Sequence, residues 1–381
     1  MENLGLNLII TKIGGIMILH PRPSPIAASM YQLRDVGADA IILHGPSGCS
    51  FRTARLLELD GVRVFTTGMD ENDFIFGGSE KLDYTVKYVI DYLKRNNKKK
   101  KYIIGIVGTC PSMIIGEDLH LPCKKYSDDS VIIVPVEVHS GMGDNTIGAI
   151  KAMEACLRAG LIDEKEFERQ KYILQKATEV ERKRGMAKNK YLKPTNEDDL
   201  EKVIEVFKNL KKGVRVLCVL NAKKETGYLF AHPLIEINRY MERRGIEVIN
   251  IANLDPNVGL KKIREDAKNI LREYRKRKIN IDYITGGLDE YPITGEKVVD
   301  IVKKVGGDLV VVSGVPHAVP IEEVSKGRIT VGISDGPRLY YPIKEMYHYS
   351  IIELDAHAKV LGRRTLVKSR FGEVLRFISN D

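Results

Sequence analysis

Ala40-Ile41-Ile42-Leu43-His44-Gly45-Pro46-Ser47-Gly48-Cys49-Ser50 begins as an apolar run and breaks on glycine, proline and serine. An aliphatic, β-branched run bounded by turn residues reads as a buried strand. The same pattern recurs at 62–66, 102–107 and 131–138. Between the second and third of these, Leu82, Val86, Val89, Ile90 and Leu93 fall at helical spacing. Strand, helix and strand in succession make a βαβ unit, which implies a parallel sheet. The pattern restarts at 214–220 and continues through 247–251, 282–285, 308–313 and 330–333, with helical periodicity around 234–241, 263–275 and 297–305. The expected fold class is therefore α/β, with two doubly wound parallel-sheet (Rossmann-like) domains and a helical connector. The expected boundaries are 1–156 for the first domain, 157–212 for a charged helical connector, 213–339 for the second domain and 340–381 for a tail packing back on a domain.

Composition narrows the function classes. An apolar fraction of 43% can fill sizeable cores, and 60 Lys and Arg against 51 Asp and Glu leave a net charge of +9. Positive charge implies nucleic-acid binding only where it clusters on one surface. Here both signs interleave, as in Glu181-Arg182-Lys183-Arg184, and the tight run Lys98–Lys101 reads as a solvated turn. No nucleic-acid partner is expected. No apolar run approaches the ~20 residues of a membrane helix, and no secretory signal pattern opens the chain, so the expectation is a cytoplasmic protein without a membrane partner. Five cysteines in a reducing compartment read as free thiols available to a metal or to catalysis.

In open α/β sheets ligands collect at the carboxyl ends of strands. Cys49 lies in the loop after the strand at 40–43. Cys110 lies in Gly108-Thr109-Cys110-Pro111-Ser112-Met113-Ile114-Ile115-Gly116-Glu117-Asp118, after the strand at 102–107. Backbone N–H groups of such loops can approach a sulfur ligand. Cys156 and Cys218 fall in helical and strand-like apolar text and read as core residues. Cys123, in Leu121-Pro122-Cys123-Lys124, stays open between ligand and inert thiol.

Three stretches in this order, His44–Cys49, Glu71-Asn72-Asp73-Phe74-Ile75-Phe76-Gly77-Gly78-Ser79-Glu80-Lys81-Leu82 and Cys110–Asp118, resemble the nitrogenase component 1 family. Weaker similarity runs through 138–148 and 214–251. The resemblance implies a nitrogenase component 1-like fold and a 4Fe-4S cluster held by cysteines near a subunit interface. It also implies an iron protein-like ATPase partner that carries its own 4Fe-4S cluster. Heterodimeric relatives carry a further cluster cysteine near the N-terminus, where this chain reads His20-Pro21-Arg22-Pro23-Ser24-Pro25. That departure is most similar to the homodimeric branch, whose members reductively cyclise a nickel tetrapyrrole in coenzyme F430 biosynthesis. A cubane cluster usually takes four protein ligands, so Cys49 and Cys110 from each of two chains related by a twofold axis would complete a set.

Reduction of a macrocycle needs proton donors. Strand-end loops offer His20, His44 and His139 in the first half and His232 and His317 in the second. Arg22, Arg52 and Arg55 suit carboxylates through bidentate geometry. Gly141-Met142-Gly143-Asp144 enters a helix that could receive an anion, although its spacing is not that of a dinucleotide fingerprint. No GxxxxGK[ST] is present, so ATP hydrolysis would belong to the partner. The rival readings are a relative reducing another tetrapyrrole and a cofactor-assembly scaffold that performs no turnover.

Overall fold

Strands form where the sequence places β-branched runs, and a computed structural model shows how they pair; it describes residues 8–13, 16–21, 24–185 and 192–379. The chain divides into two compact units, Met1–Leu174 with Leu260–Lys262, and Gln175–Gly259 with Ile263–Asp381.

In the first unit β1 (Leu8–Ile13) and β2 (Ile16–Pro21) form an antiparallel pair. β3 (Ala40–His44), β4 (Arg63–Thr66), β5 (Tyr102–Gly108) and β6 (Val131–Val136) form a four-stranded parallel sheet in the order β4-β3-β5-β6. Its helices are α1 (Pro25–Val36), α2 (Phe51–Leu59), α3 (Glu71–Phe76), α4 (Ser79–Asn96), α5 (Cys110–Ile114), α6 (Leu121–Tyr126) and α7 (Asn145–Arg158). Side chains alternate across a strand, and β5 uses both faces. Ile104 and Ile106 pack with Leu82, Val86, Val89, Ile90 and Leu93, the helical stripe of α4 read from the sequence. Gly105, one residue out of phase, lies against Leu33 of α1. Ser24 caps α1 by accepting from the Ala27 N–H, and Pro25 occupies the first turn, where its missing N–H costs nothing.

The second unit is a six-stranded parallel sheet of β7 (Arg215–Asn221), β8 (Glu247–Ala252), β9 (Tyr283–Ile284), β10 (Leu309–Gly314), β11 (Ile329–Asp335) and β12 (Tyr349–Glu353), in the order β12-β11-β10-β7-β8-β9. Val298, Val299 and Val302 of the helix Gly295–Val305 cover Leu217, Val219, Val310 and Val312. The segment 340–381, read from sequence only as a mixed tail, supplies the edge strand β12 and the helix Arg370–Ile378. Both sheets are doubly wound, as the strand pattern predicts. Among the described residues no helix is long and apolar enough to cross a membrane.

Candidate functional site

The crossover leaving β3 leads to β4 on one side of the sheet, and the crossover leaving β5 leads to β6 on the other. Loops leaving the carboxyl ends of β3 and β5 therefore diverge, and the crevice between them is the place where such sheets bind ligands. Cys49 stands in the first loop, and Cys110 is the first residue of α5, directly after the second strand. Both thiols are partly buried. Burial pushes the Cys49 thiol up, a hydrogen bond with Ser50 opposes the rise, and the charge of nearby Cys110 adds to it.

Ser50 adopts φ 54°, an uncommon left-handed conformation for a residue with a Cβ. It stands at the N-cap of α2 without making a side-chain cap. The Ser50 side chain bonds the Cys49 thiol instead. The Cys110 sulfur has its own partners in a third loop, the one after β6. The Ser140 N–H donates to it at 3.3 Å, and the Ser140 hydroxyl lies 2.7 Å away. His139 accepts from the Gly141 N–H through Nδ1 at 3.2 Å, which fixes the turn that presents Ser140.

Behind the thiols, His44 is wholly buried at the end of β3. Its Nδ1 is 3.0 Å from Thr67 Oγ1 and its Nε2 is 3.2 Å from Glu117 Oε2. Burial lowers the His44 pKa, with Glu117 opposing. The other Glu117 oxygen accepts from the Gly78 N–H at 2.6 Å. One carboxylate thus ties together the three stretches that carry the family resemblance. Close approach explains Gly45, because a Cβ there would meet Thr109 Oγ1 at 2.2 Å. Thr109 is held in place by donating to the His44 carbonyl at 2.7 Å.

Four large apolar side chains stand exposed on α2, α3 and α5: Phe51, Ile75, Phe76 and Ile114 are 68%, 73%, 84% and 82% exposed. Exposed Arg52 and Arg55 project from α2. Gly141 and Gly143 frame the turn before α7, whose N-terminus is already capped by Asp144 accepting from the Thr146 N–H. Of His20 only the backbone, in β2, is described, and Arg22 lies outside the described residues. Cys123 packs against the core of the first unit with its thiol pushed up by burial to about 11. Cys156, also buried, is pushed up to about 12, and Cys218 higher still. His232 and His317 belong to the second unit and are buried. Ser140 and the bridging role of Glu117 went unread in the sequence, since no spacing rule pairs residues from separate loops.

Two free thiols at a strand-end crevice, one of them accepting a backbone N–H, fit half of the donor set that an iron–sulfur cubane takes. Among the described residues no group of three His, Cys, Asp or Glu side chains converges into a metal cage.

Residues 24–271 match the family described as nitrogenase component 1 type oxidoreductase. A Methanocaldococcus jannaschii protein named as component CfbD of the Ni-sirohydrochlorin a,c-diamide reductive cyclase complex is 66% identical over 95% of this chain and 99% of its own. Proteins of the same name from Methanothermobacter thermautotrophicus and Methanosarcina acetivorans are 49% and 45% identical, over 94% and 96% of this chain and 98% of their own in both cases.

Proposed function

The chain belongs to the nitrogenase component 1 type oxidoreductases, and from that premise we propose that it is the reductive-cyclase component that acts on Ni-sirohydrochlorin a,c-diamide. The reaction reduces the nickel tetrapyrrole and closes a γ-lactam from an amide side chain, giving the seco-F430 intermediate of coenzyme F430 biosynthesis. The observation that carries this reading is the 66% identity, end to end, with a protein named for that complex.

Cys49 and Cys110 would hold a 4Fe-4S cluster completed by the same pair from a second copy. When bound, such a cluster supplies a low-potential, one-electron relay. Support for a homodimer comes from two candidate ligand thiols per chain and from the exposed apolar side chains Phe51, Ile75, Phe76 and Ile114, of the kind that mark association sites when they gather. Ser140 holds the Cys110 sulfur, and His44 with Glu117 holds the loops in register. His139 and His20 remain the proton donors we assign. Arg22 and Arg52, with the Gly141–Gly143 turn, are the proposed contacts to substrate carboxylates. The electron source is an ATP-hydrolysing, iron protein-like partner, in keeping with the complex named for the relatives and with the missing Walker sequence. Free thiols and an oxygen-sensitive cluster suit the cytoplasm.

Anaerobic iron and sulfide analysis should find one cluster per two chains, and Cys49→Ala or Cys110→Ala should lose it. A full cluster on monomeric protein, or a variant that keeps its cluster, would sink the shared-cluster assignment. Single turnover with reduced partner and ATP should convert the tetrapyrrole; its return unchanged would instead favour a scaffold.

A further inference from the structure

The parallel ladder between β3 and β5 ends at the pair His44 and Gly108. Past that pair the two chains part, one into the loop of Cys49 and the other into α5, which Cys110 opens. Thr109 stands at the parting and is wholly buried. Its N–H does not continue the ladder but donates to Ser112 Oγ at 3.0 Å, inside the first turn of α5. Its hydroxyl crosses to β3 instead and donates to the His44 carbonyl at 2.7 Å. A buried carbonyl needs a donor, and here a side chain supplies the tie where the backbone has turned away.

What this tie holds is the start of the Cys49 loop. Gly45 follows His44; its N–H donates to Thr67 Oγ1 at 3.0 Å, and its carbonyl accepts from the Thr66 hydroxyl and the Met69 N–H, both at 3.0 Å. Further along the same loop the Cys49 N–H donates to the Pro46 carbonyl at 3.0 Å and closes a turn. The path from Gly45 to Cys49 is therefore short and hydrogen-bonded. On the other side, Thr109 directly precedes Cys110. At five residues α5 cannot hold itself by its own hydrogen bonds, so the residue before it fixes where Cys110 sits.

We propose that Thr109 is a positioning residue for the paired ligands, its hydroxyl setting the spacing between the Cys49 and Cys110 loops before any cluster is bound. The inference rests on the shared-cluster reading of Cys49 and Cys110 above. Residues behind a ligand fix its orientation, and their loss weakens metal binding although they touch no metal. A ligand pair already held in the free chain gives up less freedom when iron binds than a pair that must first be gathered.

Thr109 differs in this from Glu117, which works at one remove through the His44 ring and the Gly78 N–H. Thr109 grips the main chain at the root of one ligand loop while standing next to the other ligand. Its methyl group completes the fit, since a Cβ on Gly45 would meet Thr109 Cγ2 at 2.9 Å. Hydroxyl and methyl thus act on the same short stretch, His44–Gly45.

The test uses the full-length chain, first free of iron and then reconstituted anaerobically. In the iron-free chain iodoacetamide should alkylate the partly buried Cys49 and Cys110 faster in Thr109→Val than in wild type, read residue by residue by mass spectrometry. Cys123, packed against the core of the same unit, should keep its rate, because losing the tie leaves the core shut. After reconstitution Thr109→Val should hold iron about tenfold more weakly against a chelator, with its sheet intact by circular dichroism. Thr109→Ser keeps the hydroxyl and should match wild type in both readings. Wild-type protein that binds no iron would sink the cluster reading and leave the alkylation rates to decide the role of Thr109. Unchanged rates at both cysteines, or a Cys123 rate that rises in step with theirs, overturns the proposal. So does a Thr109→Val chain that loses its sheet, or one whose iron affinity stays within about twofold of an iron-binding wild type.

Discussion

The two candidate ligand thiols are not equivalent. Cys49 has burial and a neighbouring sulfur against its ionisation, whereas the Cys110 sulfur accepts an N–H and sits 2.7 Å from a hydroxyl of the same serine. Hydrogen bonds to a ligand sulfur stabilise the more negative, reduced state of a cluster and so raise its potential. Ser140→Ala removes the hydroxyl and keeps the backbone donor. If that bond is worth about 1 kcal/mol, the potential of the reconstituted protein should fall by about 40 mV, at 59 mV per tenfold for a one-electron couple. Redox titration followed by electron paramagnetic resonance reads this directly, and an unchanged potential would remove Ser140 from the site. Cys49 and Cys110 themselves were legible because both stand where strand runs break on glycine and proline. Ser140 was not, because only the folded loop after β6 brings it to the sulfur.

At the level of elements, Glu117 joins three loops through the Gly78 N–H and His44. Glu117→Ala leaves a buried histidine nitrogen and a backbone N–H unpaired, at about 1–3 kcal/mol each. The variant should keep its sheet by circular dichroism but hold less iron after reconstitution, and full iron content would contradict the bridging role. In the second unit, the helices His232–Arg244 and Arg370–Ile378 meet where His232 Nδ1 lies 3.1 Å from Ser369 Oγ. Burial pushes the His232 pKa down to about 4. Between pH 6.5 and 4 the unfolded chain therefore takes up a proton that the folded one refuses. The contribution is complete above pH 6.5 and declines as pH falls through that window, on the order of 3 kcal/mol in all. Denaturant unfolding of wild type and His232→Gln at pH 7.5, 6.0 and 5.0 should give the steeper acid loss in wild type; equal slopes would refute the assignment. The central strands were readable because they are buried on both faces and so nearly continuous in aliphatic residues. The edge strand β12, with Tyr349 and Ser350 in place of such a run, and the one-turn helices α3 and α5 carry too little periodicity to stand out from loops.

For the whole molecule, the net charge of +9 proved weakly informative, since many of its cations are paired locally, as Lys81 is with Asp70 and Asp73 and Lys125 with Asp83. The exposed apolar side chains say more. Ile75 and Phe76 follow Phe74 on α3, one turn from the Gly78 N–H that Glu117 grips. A protein that left such a surface in water would risk non-specific association, while a second copy seated on it would exclude solvent from the shared sulfur ligands. Dimerisation and cluster binding should then be one equilibrium, because each stabilises the state the other needs. Ile75→Asp with Phe76→Asp leaves Cys49, Cys110 and Ser140 untouched, and both side chains are exposed, so the monomer fold should survive. Sedimentation should show the double variant as a monomer at micromolar concentration, and reconstitution should leave it with far less iron than wild type. Wild-type protein should lose iron on dilution in step with its dissociation. A monomeric double variant that still carries a full cluster would separate the two properties and require both remaining ligands to come from a single chain.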